Sequence, residues 1–226
     1  MRCKQLYMLR CIPVFAFYCL VFAGTARGED AGVSTDTNTE IWSTHLRQCT
    51  EKTFSLTGRF AQDFTCDDAP ASPVLHGSFE FRRNGSYRVT YDEPGKIIFV
   101  SDGTVSSVLD RGGRWTASGP VDALADEIAS LVTGRLPEGF HVDFLGGAHS
   151  PDEGLGVLRF SPKEHRFIQS ILVTASPESP CIRRITIIDT GGCIIRTTLE
   201  SVRVNTGVKA RRFQIHPPKN TFIIEP

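Results

Sequence analysis

The strongest constraint on this chain is a side-chain alternation of period two that runs, with breaks, from residue 55 to residue 92. Between Ser55 and Cys66, the residues Leu56, Phe60 and Phe64 share one side with Gly58, Gln62 and Cys66, while Thr57, Arg59, Asp63 and Thr65 take the other. Between 74 and 83 the odd positions Leu75, Phe79 and Phe81 are apolar, against His76, Ser78, Glu80 and Arg82. Between 86 and 92, Tyr87, Val89 and Tyr91 alternate with Ser86, Arg88, Thr90 and Asp92. Successive side chains on a strand point to opposite faces. Three such segments in a row describe an antiparallel sheet with one dry face and one wet face.

The turn between the second and third segments is tested by parity. Asn84-Gly85 invites a two-residue hairpin loop, but that register would set Phe81 opposite Arg88 and mix the faces. A three-residue connection, Asn84-Gly85-Ser86, pairs Phe81 with Val89 and Phe79 with Tyr91. A one-residue slip would turn the whole apolar set to solvent, so the longer loop is expected, with Gly85 at positive φ.

More strands are expected near 97–100, 106–109, 114–117, 140–145, 155–160, 167–174, 182–188, 194–204, 211–216 and 221–224. Two helices interrupt them. Thr37 with Glu40 fits a capping box, and Trp42, Leu46 and Cys49 recur at helical spacing up to about Thr53. Gly119-Pro120 is expected to open a second helix over Val121 to Thr133, with Leu124, Ile128, Leu131 and Val132 as its dry stripe and Gly134 as its end. The fold class is therefore mainly β: one large, curved antiparallel sheet covered by a few helices.

Basic residues Arg2, Lys4 and Arg10 precede an apolar run from Cys11 to Ala23, the order of a secretory signal peptide. Residues 1–28 are read as that signal, 29–36 as a flexible start and 37–226 as a single domain. Neither Cys11 nor Cys19 follows a small residue, which argues against a lipid anchor. Removing residues 1–28 takes away four basic and no acidic residues, and the formal charge falls from zero to −4. That balance gives no footprint for nucleic acid. Cys49, Cys66, Cys181 and Cys193 remain. They allow either two disulfides, with three pairings open, or buried thiols.

Catalytic and metal chemistry finds no motif. The six histidines stand in no tight ligand spacing, and GxSxG, SxxK and Gly-rich phosphate loops are missing. No enzyme, no cofactor and no metal are expected. Arg83 is the odd residue, because it continues the dry side of Leu75, Phe79 and Phe81 and must find carbonyl, acidic or polar partners there.

Phe60-x-Gln62, Gly77-x-Phe79-x-Phe81-x-Arg83, Tyr87-x-Val89-x-Tyr91-x-x-Pro94, Ile98-x-Val100-Ser101-Asp102-Gly103 and the closing Arg212-Phe213-x-Ile215-x-Pro217-Pro218 stand in an order that resembles the LolA family. The resemblance implies an incomplete, strongly curved antiparallel β-barrel under an α-helical lid, in a periplasmic monomer. It implies that acylated lipoproteins are taken from an inner-membrane ABC transporter and delivered to an outer-membrane LolB-like receptor. Arg83 then latches the lid. The acyl-chain cavity is lined by Leu56, Phe60, Phe64, Leu75, Phe79, Phe81, Tyr87, Val89, Tyr91, Leu124, Ile128 and Leu131. Two departures stand out: Asn84 replaces the family's proline after the arginine, and Val105 to Leu109 lacks the family's aromatic bulk. A LolB-like receptor and a secreted structural β domain that binds no lipid are the competing readings. Acyl-dependent ligand binding separates the second from a carrier.

Overall fold

Backbone pairing turns the alternation into a sheet whose faces can be read strand by strand. The computed structural model describes residues 37–67, 72–92, 96–109, 114–120, 139–147, 154–164, 167–214 and 222–224. The elements are helix α1 (Thr37–Glu51), then strands β1 (Ser55–Thr65), β2 (Leu75–Arg82), β3 (Tyr87–Tyr91), β4 (Ile97–Ser101), β5 (Val105–Leu109) and β6 (Arg114–Pro120). They continue with β7 (Phe140–Gly146), β8 (Gly156–Pro162), β9 (Ile168–Ala175), β10 (Ile182–Asp189), β11 (Ile194–Val204), a 3-10 turn (Ala210–Phe213) and β12 (Phe222–Ile224). Among the described residues twelve strands form one sheet in the order β12-β6-β5-β4-β3-β2-β1-β11-β10-β9-β8-β7. The sheet is curved and does not close, so β12 and β7 are its edges. All neighbours are antiparallel except β12, which runs parallel to β6.

The seam of this sheet is β1. It pairs with β2 on one side and with β11 on the other, so two arms meet along it. Across β1 and β2 the register sets Gly58 opposite Phe79 and Phe60 opposite Gly77. Each ring therefore lies over a glycine of the neighbouring strand. A Cβ on Gly77 would come within 2.5 Å of Phe60 Cζ, and one on Gly58 within 2.8 Å of Phe79 Cζ. Glycine costs strand stability by itself, and here the covering ring offsets that cost.

Three expectations are corrected. The β2–β3 loop has three residues, but they are Arg83-Asn84-Gly85: the Arg82 N–H donates to the Ser86 carbonyl at 2.8 Å, and Phe81 faces Tyr87 while Phe79 faces Val89. Gly85 has φ 85°. A three-residue hairpin ends on its left-handed residue, so the loop has to finish at the glycine rather than run one residue past it. Both registers keep the faces apart, which is why parity could not choose between them. Gly119-Pro120, expected to begin a helix, lies instead at the end of β6, where Pro120 is opposite Val105 beside a register shift. Proline is tolerated at such irregular strand ends. The strand expected at 211–216 begins as the 3-10 turn, with Phe213 buried. The second helix, with Leu124, Ile128 and Leu131, falls outside the described residues.

The core sits on the dry face of β8–β10 and β1–β2, beneath α1. Leu158, Phe160, Ile171 and Val173 are fully enclosed there together with Leu46 of the helix. Helix α1 is held along its length. The Phe144 N–H donates to Thr39 Oγ1 at 2.8 Å, and Trp42 stacks on Phe144 with the ring planes 9° apart. Trp42 also lies over Gly156, where any Cβ would meet the indole at 2.5 Å. His45 Nε2 is 3.0 Å from the Ser176 carbonyl oxygen, and Cys49 is bonded to Cys181.

Candidate functional site

The dry face differs between the two arms. Under the end of α1, Leu56, Ile182 and Leu199 line a void of about 10 Å³, too small for a ligand. On the other arm the face is less covered. Phe64, Leu75, Phe81, Val89, Tyr91 and Phe99 are half-buried, whereas Leu56, Phe60, Phe79 and Tyr87 are buried. The described members of the expected cavity set therefore differ in exposure, and the half-buried ones form an aromatic and aliphatic surface. Rings are in contact along this surface: Phe79 with Phe81 at 5.5 Å, Phe81 with Tyr87 at 6.2 Å and Tyr91 with Phe99 at 6.1 Å between centroids.

Phe99 was not foreseen from sequence. Ile97 to Val100 is apolar at every position, so alternation does not say which residues face which way. Register does: Val89 pairs with Phe99, placing Phe99 on the dry face.

One polar chain crosses the apolar surface. The Tyr91 hydroxyl donates to Gln62 Oε1 at 2.9 Å, and Gln62 Nε2 donates to Thr197 Oγ1 at 2.8 Å. Burial pushes the Tyr91 phenol up to about 12, against a smaller downward pull from Gln62. A part-buried chain of this kind fixes orientation among rings that otherwise offer none. The sign of its pH dependence follows from linkage. Up to the ordinary phenol range near 10 both folded and unfolded chains keep the proton, and the contribution is intact. Between about 10 and about 12 the unfolded chain gives up the proton first, so stability falls as pH rises. Tyr91→Phe is expected to remove this alkaline loss and the highest-pH step in the 295 nm phenolate titration. Denaturant midpoints at pH 9 and pH 11.5 check the first point.

Arg83 reaches a helix end. Its Nη2 donates to the Thr50 carbonyl at 3.1 Å and to the Glu51 carbonyl, and its guanidinium lies 4.6 Å from the centroid of the Phe54 ring. Helix α1 has no basic residue in its last turn, and the last carbonyls of a helix lack intrahelical donors and carry partial negative charge. Arg83 supplies both the donor and the cation. Asn205 completes the seat from β11's side: its Oδ1 accepts from the Phe54 N–H at 2.7 Å and its Nδ2 donates to the Lys52 carbonyl at 2.9 Å. The arginine thus meets the end of α1; the segment 121–133, where the resemblance puts the lid helix, lies outside the described residues.

The Ser101-Asp102-Gly103 motif is a turn. Asp102 Oδ1 accepts from the N–H groups of Thr104 and Val105, and these bonds hold its carboxyl below the usual range. Gly103 has φ 100°, and a Cβ there would lie 2.8 Å from the Asn84 carbonyl oxygen. The motif locks one hairpin tip against the next. Cys66 is bonded to Cys193 and Cys49 to Cys181, which spacing alone had left open. Among the described residues no three His, Cys, Asp or Glu side chains group as metal ligands.

An open curved sheet, packed under a helix on one arm and presenting half-covered rings on the other, is a fold for holding apolar cargo. The chain belongs to the LolA family: the family model described as outer membrane lipoprotein carrier protein LolA matches residues 51–216, and this is a family of lipoprotein carriers, not of enzymes. It is similar to the outer-membrane lipoprotein carrier protein of Bordetella pertussis, with 26% identity over 174 residues, 75% of this chain and 79% of that protein. Among solved structures it is similar to a LolA superfamily protein from Nitrosomonas europaea, at 13% identity and TM-score 0.43 over 76% of this chain and 96% of the other. It is also similar to the lipoprotein LppX of Mycobacterium tuberculosis, at 15% identity and TM-score 0.45 over 76% and 98%.

Proposed function

We propose that the protein is a periplasmic carrier that holds the acyl chains of lipoproteins against the dry face of β1–β4. Cargo arrives from an inner-membrane ABC transporter and leaves to an outer-membrane receptor of the LolB kind. The single domain from residue 37 onward acts as a monomer behind a cleaved signal. The observation that supports this reading is the half-covered patch of Phe64, Leu75, Phe81, Val89, Tyr91 and Phe99. Each buried methylene of a chain laid on it contributes about 0.8 kcal/mol, so capture is easy and release is the step that needs design. The Tyr91–Gln62–Thr197 chain gives the cargo's polar linkage a place to bond without deepening the apolar grip.

Native mass spectrometry of the purified protein with a triacylated lipopeptide, beside its unacylated control, is the direct test. Saturable one-to-one binding that requires the acyl chains is expected. A folded sample that binds neither peptide would return the chain to a packed structural β domain.

In this reading Arg83 is a positioning residue that sets how α1 bounds the cargo surface. Arg83→Leu is expected to leave the chain folded and acyl binding present, while slowing delivery from carrier to receptor about tenfold, the worth of one charge-assisted contact. Arg83→Lys keeps the charge but not the two-carbonyl reach and should fall between. Equal delivery rates for all three proteins would remove the role.

A further inference from the structure

The wet face of the sheet carries a second cavity, of about 560 Å³, on the side away from the aromatic patch. Four arginines line it, Arg59, Arg88, Arg203 and Arg212, and among the described lining residues Glu80 is the sole carboxylate. Register places these groups together: Glu80 is opposite Arg88, and Thr57 is opposite both Glu80 and Arg203. Arg212 comes from the 3-10 turn and clamps Glu80 with Nε and Nη2 at 3.0 to 3.1 Å. Arg59 is paired with Asp92 at 2.6 Å, while Glu200, its register partner, does not line the cavity.

Among the described residues, two of the four cations have no carboxylate within hydrogen-bond distance. Arg88 donates to the Arg212 carbonyl at 3.4 Å, and burial and the Arg212 charge both lower its proton affinity while Glu80 raises it. Arg203 makes no hydrogen bond or ion pair to a described residue. Its presence on this face is produced by a backbone irregularity. Carried on from Arg59–Glu200, an unbroken register would set Val202 opposite Thr57 and turn Arg203 to the dry side. A bulge at Ser201, in the left-handed region at φ 50°, places Arg203 opposite Thr57 instead. A serine adopts that conformation at a cost, and bulges recur where a side chain must be re-aimed.

A groove of one charge sign draws and concentrates ions of the other. Its volume is that of a small-molecule site, and guanidinium forks match the oxygens of phosphate in pairs. We propose that this groove binds a phosphate group, with Arg88 and Arg203 as its principal donors. The group belongs either to a lipid headgroup or to a soluble phosphate. An extended acidic protein segment would need a longer basic surface than this bounded cavity provides.

The test begins with inorganic phosphate titrated into ¹⁵N-labelled protein while the arginine Nε–Hε signals are followed. Saturable shifts at Arg88 and Arg203 are expected, and Arg203→Gln should weaken the affinity about tenfold, one charge-assisted contact. Because Arg203 is exposed and unpartnered, that variant should melt like the parent and bind triacylated lipopeptide as the parent does. Loss of lipopeptide binding in this variant would instead make the groove part of the lipopeptide site and overturn a separate phosphate site, whereas a parent that binds no lipopeptide counts against the acyl-carrier reading alone. Flotation with phosphatidylglycerol and phosphatidylcholine vesicles separates the sources. Anionic-vesicle binding that phosphate competes away and Arg203→Gln weakens assigns the headgroup, whereas a response to phosphate alone assigns the soluble ligand. No shift with phosphate together with vesicle binding indifferent to Arg203→Gln would overturn the proposal. So would a poly-glutamate peptide that shifts the same arginines when phosphate does not.

Discussion

Gly77→Val is expected to lower stability by about 3 kcal/mol or more, the upper range for forcing volume into a packed site. The Gly77 position meets obstacles on two sides. A Cβ would press on Phe60 Cζ and Cε1 at 2.5 and 2.6 Å and against the Thr90 carbonyl oxygen. Phe60 is 3% exposed and has nowhere to retreat, and the Thr90 carbonyl is backbone on the neighbouring strand β3. For a chain of this size such a loss corresponds to a melting-temperature drop of roughly 10 °C. Gly139→Ala is the control, since a Cβ there meets nothing within 4 Å, and its melting curve should overlay the parent's. A Gly77→Val protein that melts with the parent would show that Phe60 does not lie across the glycine.

Replacing Cys49 and Cys181 together by alanine is expected to cost about 3–5 kcal/mol and to loosen α1. The two disulfides offer an internal comparison. Cys49–Cys181 closes a separation of 132 residues and Cys66–Cys193 one of 127, so unfolded-state entropy alone predicts nearly equal losses. Their native settings differ. Cys66 follows the last residue of β1, where Thr65 is already paired with Ile194, while Cys49 ties helix α1 to Cys181, just before β10, with no backbone ladder beside the link. Removing the first link should therefore open α1 to limited proteolysis between residues 37 and 51, and removing the second should not. Equal stability losses without new cleavage in α1 would reduce both links to unfolded-state effects.

The parts legible in sequence were those governed by short-range alternation. Leu56 through Tyr91 declared their strands and faces because one side is wet, and the dry–wet contrast survives any even register change. That same symmetry hid the actual hairpin, where only the end position of Gly85 in the loop distinguishes Phe81–Tyr87 from Phe81–Val89. Ile97 to Val100 carried no contrast at all, since Ile98 and Val100 are buried on the face opposite Phe99. Proline misled at 120 because a residue that opens helices also fits an irregular strand end. Arg83 was marked as anomalous by its place on the dry side, but its partner could not be read, as the end of α1 lies some thirty residues earlier in the chain. The arginine groove was the least legible. Its members come from β1, β3, β11 and the 3-10 turn, and one of them reaches it through a bulge that no pattern announces.

The seam at β1 also sets an order of events in time. β2 to β6 are local hairpins that can form as soon as they exist, but β1's second neighbour, β11, comes from the far end of the chain. The anchors of α1, at Phe144, Gly156, Ser176 and Cys181, are likewise made long after the helix itself. A topology of such high contact order folds slowly. Until β11 arrives, the N-terminal arm stands as an uncovered edge with its rings in water, an invitation to aggregation. The chain is therefore one that gains from being kept unfolded until its last third has been made, and the residues of α1 are among the last to find their places.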